Sequence, residues 1–178
     1  NGNKIVTSGG GGALLLDDED EAEKIRFLAT TDKAEKGYES EHTEVGFNYR
    51  MPNLNAALGC AQIRRLQEFV DIKREIARRY QIECERIGVE FFVEPEESKS
   101  NYWLNCIFLK DLDERNEFIR MAHESRIHVR PAWRLMHHTN MNRTGMWLDL
   151  SNSEWLVERI VNLPSGVSGS AFDSELNQ

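Results

Sequence analysis

A primary amine beside a run of bare backbone is the first chemistry this chain offers: Lys4 precedes Ile5-Val6-Thr7-Ser8, and Gly9 to Gly12 follow. A lysine ammonium becomes a nucleophile when it loses its proton, which burial and cationic neighbours promote. Glycines let backbone approach a flat, phosphorylated ligand closely and take up left-handed torsions. The same residues also describe a solvated lysine at a glycine-rich turn, and the stretch by itself leaves both readings open. Two phosphate-binding patterns are excluded. The lysine precedes the glycines with no Gly-Lys-Ser/Thr after them, so there is no P-loop, and no strand leads through a spaced G-x-G-x-x-G into a helix.

Two further stretches concentrate directional groups. His42-Thr43-Glu44-Val45-Gly46-Phe47-Asn48-Tyr49-Arg50-Met51-Pro52 mixes aromatic, amide and guanidinium side chains without a period, the composition of a loop that carries function. It equally fits a turn whose Asn48 and Arg50 tie down backbone. Arg130-Pro131-Ala132-Trp133-Arg134-Leu135-Met136-His137-His138 is the second. Its adjacent histidines point different ways on any regular backbone and no carboxylate stands at ligand spacing, so no metal is expected there. Cys60, Cys84 and Cys106 are scattered, with no C-x-x-C pair, and read as structural thiols in a reducing, cytoplasmic setting.

The elements that must position these groups follow from periodicity. Ala13-Leu14-Leu15-Leu16 is a continuous apolar run that predicts a buried strand. Asp17 or Asp18 then caps a helix with an acidic first turn and a stripe of Ala22, Ile25, Leu28 and Ala29, stopping near Thr30-Thr31. Residues 32–43 read as a polar surface loop. One long helix is predicted over 53–88, with Leu54, Ala57, Leu58, Ala61, Leu66, Phe69, Val70, Ile76, Ala77, Tyr80, Cys84 and Ile87 at three-and-four spacing and Gly88 as its stop. Arg64, Arg65, Lys73, Arg74, Arg78 and Arg79 form a solvated face on it.

After Gly88 the pattern becomes strand, strand, helix, strand: residues 89–93, 102–109, a helix capped by Asp113 with Phe118, Met121 and Ala122 inward, then 127–129. A final helix over about 153–161 is expected to bury Trp155, Leu156, Ile160 and Val161. The fold class is therefore α+β, a small, mostly antiparallel sheet with helices on one face. The domain reading is 1–52 as part of a larger domain, 53–88 as a bridging helix, 89–166 as a small α+β domain, and 167–178 as a weakly ordered tail.

Composition narrows the partners. Across 178 residues, 40% are hydrophobic and 29% charged, which suits a globular chain with one good core or two small ones. A net charge of −8, with basic residues interleaved among acids, argues against nucleic acid. No apolar run reaches the length of a membrane span, and the start lacks the basic-then-apolar pattern of a signal peptide. A folded domain rarely opens inside a glycine-rich loop, so the sequence reads as if something is missing upstream.

Taken together, Asn1-Gly-Asn-Lys-Ile-Val-Thr-Ser-Gly-Gly-Gly-Gly12, Leu14-Leu-Leu-Asp-Asp18, Glu44-Val-Gly-Phe-Asn-Tyr-Arg-Met51, Asn53-Leu-Asn-Ala-Ala-Leu-Gly59, Arg130-Pro-Ala-Trp133 and Leu163-Pro-Ser165 resemble the second half of a DegT/DnrJ/EryC1/StrS sugar-nucleotide aminotransferase. These are pyridoxal-phosphate enzymes of fold type I. The resemblance covers almost the whole chain, and the stretch from His42 to Gln62 looks closest to members serving surface sugars such as legionaminic acid or perosamine.

The resemblance implies that Lys4 holds pyridoxal 5'-phosphate as an internal aldimine and then shuttles a proton between cofactor and sugar carbons. It implies that Asn48 reaches the cofactor phosphate of a neighbouring subunit and that Arg50 lies on the substrate side. Glutamate would donate the amine and a nucleotide-linked 4-keto-6-deoxy sugar would accept it. Family members run to roughly twice this length, and the Ser and Phe that usually precede the lysine are absent. So are the acid that pairs with the pyridine nitrogen and the aromatic that stacks on its ring. The expectation is a fragment inactive alone, completed by a separate N-terminal half; the rival is a non-enzymatic remnant. Apolar surface along residues 54–70 predicts a homodimer or higher oligomer.

Overall fold

The computed structural model describes residues 1–31, 33–36, 38–142, 145 and 148–167, with backbone alone for 33–36 and 40. The tail expected to be weakly ordered lies, beyond residue 167, outside the described residues. Two compact units divide the chain, Asn1–Leu66 and Gln67–Gln178.

In the first unit, helix α1 spans Glu19–Leu28. Asp18 is its cap, the carboxylate accepting from the Glu21 N–H at 2.9 Å, and Glu19, Asp20 and Glu21 follow where the positive helix end favours acids. The expected buried strand over 13–16 is absent: that segment is irregular, and Leu15 is 95% exposed. A run apolar on every side needs cover on both faces, and no described residue pairs with it. The expected loop over 32–43 is instead a hairpin, strands β1 (Lys33–Lys36) and β2 (Glu39–His42), antiparallel with Lys36 opposite Glu39. Its pairing is carried by backbone without apolar alternation, which is why no period announces it. Helix α2 follows over Asn53–Arg64.

The helical run expected over 53–88 is divided. Helix α3 spans Leu66–Ile87, and Arg65 between the two leaves helical torsions (φ −104°, ψ 7°), its N–H turning back to Gln62 O at 3.1 Å. Gly88, with φ 74°, ends α3 as the left-handed residue the sequence places there.

The second unit is built on one antiparallel sheet. Strands β3 (Glu90–Phe91), β4 (Asn105–Phe108), β5 (Arg130–Pro131) and β6 (Ile160–Leu163) lie in the order β3-β4-β6-β5. Helix α4 spans Leu112–Glu124 and α5 spans Ser151–Val157. Alternate strand residues and helix faces converge on a core of Ala77, Cys84, Phe91, Tyr102, Ile107, Ala122, Val129 and Val161.

Several expected boundaries shift. The α4 cap is Asp111 rather than Asp113, because it is Asp111 whose carboxylate accepts from the Glu114 N–H at 2.9 Å. Met121 faces solvent while Ala122 is buried. The strand expected over 127–129 forms at Arg130–Pro131, on the sheet edge where a proline's missing N–H removes no ladder bond. The last helix ends at Val157, and Ile160 and Val161 belong to β6, between β4 and β5. Val161 is 0% exposed, whereas Trp155 and Leu156 keep substantial solvent exposure. β-Branched neighbours fit a central strand better than a helix terminus.

The Leu163-Pro164-Ser165 corner is tied down from three sides. Tyr80 OH donates to Pro164 O at 2.9 Å. Ser165 Oγ accepts from the Asn105 backbone N–H at 3.0 Å and from Asn105 Nδ2 at 2.9 Å, and donates to Leu163 O at 2.9 Å. Lys73 Nζ donates to Trp103 O at 3.3 Å and also to Ser165 O. Lys73 is therefore buried, not part of a solvated face, and burial pushes its pKa down.

Elsewhere α3 behaves as its charges suggest. Arg78 and Arg79 share Glu75, whose carboxyl these hydrogen bonds hold at about 2. Arg74 grips Glu94 through both nitrogens, at 2.9 and 2.5 Å; its hydrogen bonds, then that from the Ser100 N–H, hold the Glu94 carboxyl at about 2. A carboxylate with a depressed folded pKa stabilises the fold above the unfolded value and loses that contribution as pH falls through the folded one. Stability of this unit is thus expected to decline from the ordinary carboxylate value of 4.5 down towards about 2. Urea midpoints measured across that window should fall more gently in Glu75→Gln/Glu94→Gln, and an unchanged slope would refute the assignment.

Candidate functional site

Lys4 lies on an exposed turn at the chain start, its N–H directed to Asn1 O at 3.3 Å. Residues 5–8 that follow are half-buried. The glycine run then packs against residues just beyond Arg50. Asn55 Nδ2 donates to Ser8 O at 2.7 Å. At Gly11, φ is 116° and a Cβ would fall 2.6 Å from Met51 Cε. Torsion requires glycine there, since an L side chain rarely adopts that φ, while the Met51 methyl is the free end of a flexible side chain and can give way.

Asn48 and Arg50 sit on a segment pinned to the end of α1. Phe47 N–H donates to Leu28 O at 2.7 Å, Tyr49 N–H to Ala29 O at 2.9 Å and Thr31 N–H to Phe47 O at 2.9 Å, with Thr30 and Asn48 bridged antiparallel. Alternation along extended backbone puts Phe47 and Tyr49 on one face, where their rings stack at 5.2 Å, and Asn48 on the other. Asn48 and Arg50 are both exposed. Arg50 lines an open concavity of about 590 Å³ with Asp20, Glu23, Lys24, Arg26, Phe27 and Thr30.

The structure therefore brings the segment after Lys4 and the segment after Arg50 together, at Ser8–Asn55 and Gly11–Met51. Asn55 and Met51 are contributors that the sequence reading left without a role. The available signal is a second amide, Asn55, two residues after Asn53 in a helix start whose other residues are apolar, Asn53-Leu-Asn-Ala-Ala-Leu.

The expected divergence of His137 and His138, and their lack of a carboxylate partner, are overturned. Both occupy one 3-10 turn, Met136–His138, with ring centroids 4.1 Å apart. Both direct Nε2 at one carboxylate, Glu154 Oε1, at 3.1 Å from His137 and 3.6 Å from His138. A tight turn has no strand-like alternation, so adjacent rings can converge.

A model of the DegT/DnrJ/EryC1/StrS aminotransferase family matches residues 1–173. The chain belongs to that family. It is 34% identical over 171 residues to EpsN of Bacillus subtilis, by name a pyridoxal phosphate-dependent aminotransferase, covering 93% of this chain and 44% of EpsN. It is 32% identical over 172 residues to a GDP-perosamine synthase of Vibrio cholerae, covering 92% and 45%. Among solved structures it superposes on the aminotransferase TlmJ of Streptoalloteichus hindustanus with a TM-score of 0.78, 26% identity and coverage of 97% of this chain and 47% of that one. PseC of Helicobacter pylori superposes at 0.73 with 16% identity, covering 89% and 44%. The α+β architecture is thus that of a fold-type I sugar aminotransferase. The chain spans about half the length of the curated relatives it matches.

Pyridoxal phosphate needs an amine to hold it, a group for its pyridine nitrogen, a stacking surface and phosphate donors. Lys4 carries an amine, but on an exposed turn, and it does not line the concavities beside Arg50 and beside Arg74. These residues alone do not enclose the cofactor. No helix among the described residues is long and apolar enough to cross a membrane.

Proposed function

We propose that this chain is the lysine-bearing part of a pyridoxal phosphate-dependent aminotransferase acting from glutamate onto a nucleotide-linked 4-keto-6-deoxy sugar of surface-polysaccharide synthesis. The observation that carries the reading is the pinned glycine run: Asn55 on Ser8 O and Gly11 on Met51 fix the path that follows Lys4, in a family whose relatives include GDP-perosamine synthases. Lys4 is the residue for covalent attachment of the cofactor, Asn48 the amide for a neighbouring subunit's cofactor phosphate, and Arg50 the cation on the substrate side. Exposed Leu14, Leu15 and Leu16 mark surface that further protein covers in the working enzyme.

The isolated chain is accordingly expected to be inactive. The test supplies pyridoxal phosphate, glutamate and the keto sugar and follows 2-oxoglutarate. A fusion of this chain to the portion of EpsN outside the matched segment should turn over, and Lys4→Ala in that fusion should lose at least ~10³-fold. Full turnover by the Lys4→Ala fusion would refute the assignment.

One observation favours a second role, self-association. Helix α2 has no buried residue; Leu54 is 86% exposed, and Leu58 and Ile63 are also open, as is Leu66 at the start of α3. Such an apolar helix surface is covered in stable proteins. Sedimentation should show a dimer or larger species that Leu58→Glu disperses, and a clean wild-type monomer would exclude the role.

A further inference from the structure

We propose that His137, His138 and Glu154 form a binding site for a divalent cation of intermediate softness, of which zinc is the type case. Two imidazole nitrogens and one carboxylate oxygen are a ligand set suited to Zn²⁺, Ni²⁺ or Co²⁺ and poorly suited to Mg²⁺ or Ca²⁺. The three donor atoms lie within 4.8 Å of one another.

The spacing of the donors matters more than their composition. In a tetrahedral site with metal bonds of about 2.0–2.1 Å, ligand atoms stand roughly 3.3–3.4 Å apart. Glu154 Oε1 is 3.1 Å from His137 Nε2 and 3.6 Å from His138 Nε2, so two edges already bracket that length. Small rotations of the rings would seat a cation and leave one position for water. Nε2 ligates as its lone pair, with the ring proton on Nδ1, so a change of tautomer and no deprotonation of the neutral ring is needed.

The scaffold holds the donors from separate elements. The histidine turn is closed by His138 N–H to Leu135 O at 3.0 Å and by Thr139 Oγ1 to Met136 O at 2.6 Å. Glu154 belongs to α5, whose C-terminal carbonyl at Val157 accepts from Arg115 of α4. A cation would clip the turn to the helix across 17 positions of sequence. His137 is mostly covered (14% side-chain exposure), while His138 and Glu154 stay about half open, at 48% and 49%, so a cation has a path in. Nothing in the aminotransferase reading uses these three groups.

The test is calorimetric titration of the untagged chain with ZnCl₂ under reducing conditions, paired with the visible spectrum of the Co²⁺ form. One saturable equivalent is expected, with a tetrahedral-type Co²⁺ spectrum. Binding should weaken by at least about tenfold in His138→Ala and in Glu154→Gln, while Cys60→Ser, which removes the exposed thiol, should leave it unchanged. Zn²⁺ should also raise the thermal midpoint of the wild type and not of the two variants, because a ligand that binds only the folded state stabilises it. His138 and Glu154 are half exposed, so both variants should keep the wild-type far-ultraviolet spectrum. No saturable binding, or binding unaltered in His138→Ala and Glu154→Gln, would overturn the site and leave a hydrogen-bonded His–Glu cluster only.

Discussion

Ser165→Ala should lower the stability of the second unit by about 2–6 kcal/mol, because one hydroxyl serves two buried donors. The Ser165 hydroxyl accepts two hydrogen bonds from Asn105 and donates one to Leu163 O. Asn105 is 1% exposed, and its Oδ1 already has no partner among the described residues. Removing the hydroxyl would orphan a buried backbone N–H and a buried amide, each costing ~1–3 kcal/mol. Urea unfolding followed by tryptophan fluorescence measures the change. A loss below about 0.5 kcal/mol would mean that water replaces the hydroxyl, and the corner would then be less dry than the contacts imply.

Gly11→Ala should destabilise the first unit by ~1–3 kcal/mol, mainly through torsion. The added Cβ would meet Met51 Cε at 2.6 Å, but that methyl is the free end of a flexible side chain and can swing aside. The φ of 116° offers no such relief to an L-residue. Met51→Ala added to Gly11→Ala should therefore recover only a minor part of the loss. Recovery of most of it would show that crowding rather than torsion fixes the glycine. Proteolysis within residues 1–12 gives an independent readout, since a released glycine run should be cut sooner.

What was legible in the sequence was local and chemical. Asp18 and its acidic turn, the Gly88 stop, and the α+β order all rest on short-range preferences that the structure keeps. What was not legible depended on partners distant in sequence. Val161 reads as the end of a helical stripe until β4 and β5 flank it. Ala13–Leu16 reads as a strand, yet a strand needs a neighbour. Lys73 looks like one more cation on a charged helix, and only the carbonyls of Trp103 and Ser165, far along the chain, turn it inward. His137 and His138 looked divergent because the 3-10 turn that converges them has no sequence signature as strong as a period. The candidate site divides in the same way. Lys4, Asn48 and Arg50 could be named from motif resemblance, while Asn55 and Met51 emerge only when the glycine run is seen against α2 and the residues just before it.

As proposed, Lys4 is the attachment residue of a cofactor pocket that these residues do not complete alone. Borohydride reduction in the presence of pyridoxal phosphate, with the labelled peptides located by mass, tests it on the isolated chain and on the EpsN fusion in parallel. Weak labelling spread over many lysines is expected in the isolated chain, and saturable labelling at Lys4 in the fusion. Saturable labelling of the isolated chain at Lys4 would contradict the claim of incompleteness, and saturable labelling of the fusion at any other lysine of this chain would contradict the assignment of Lys4.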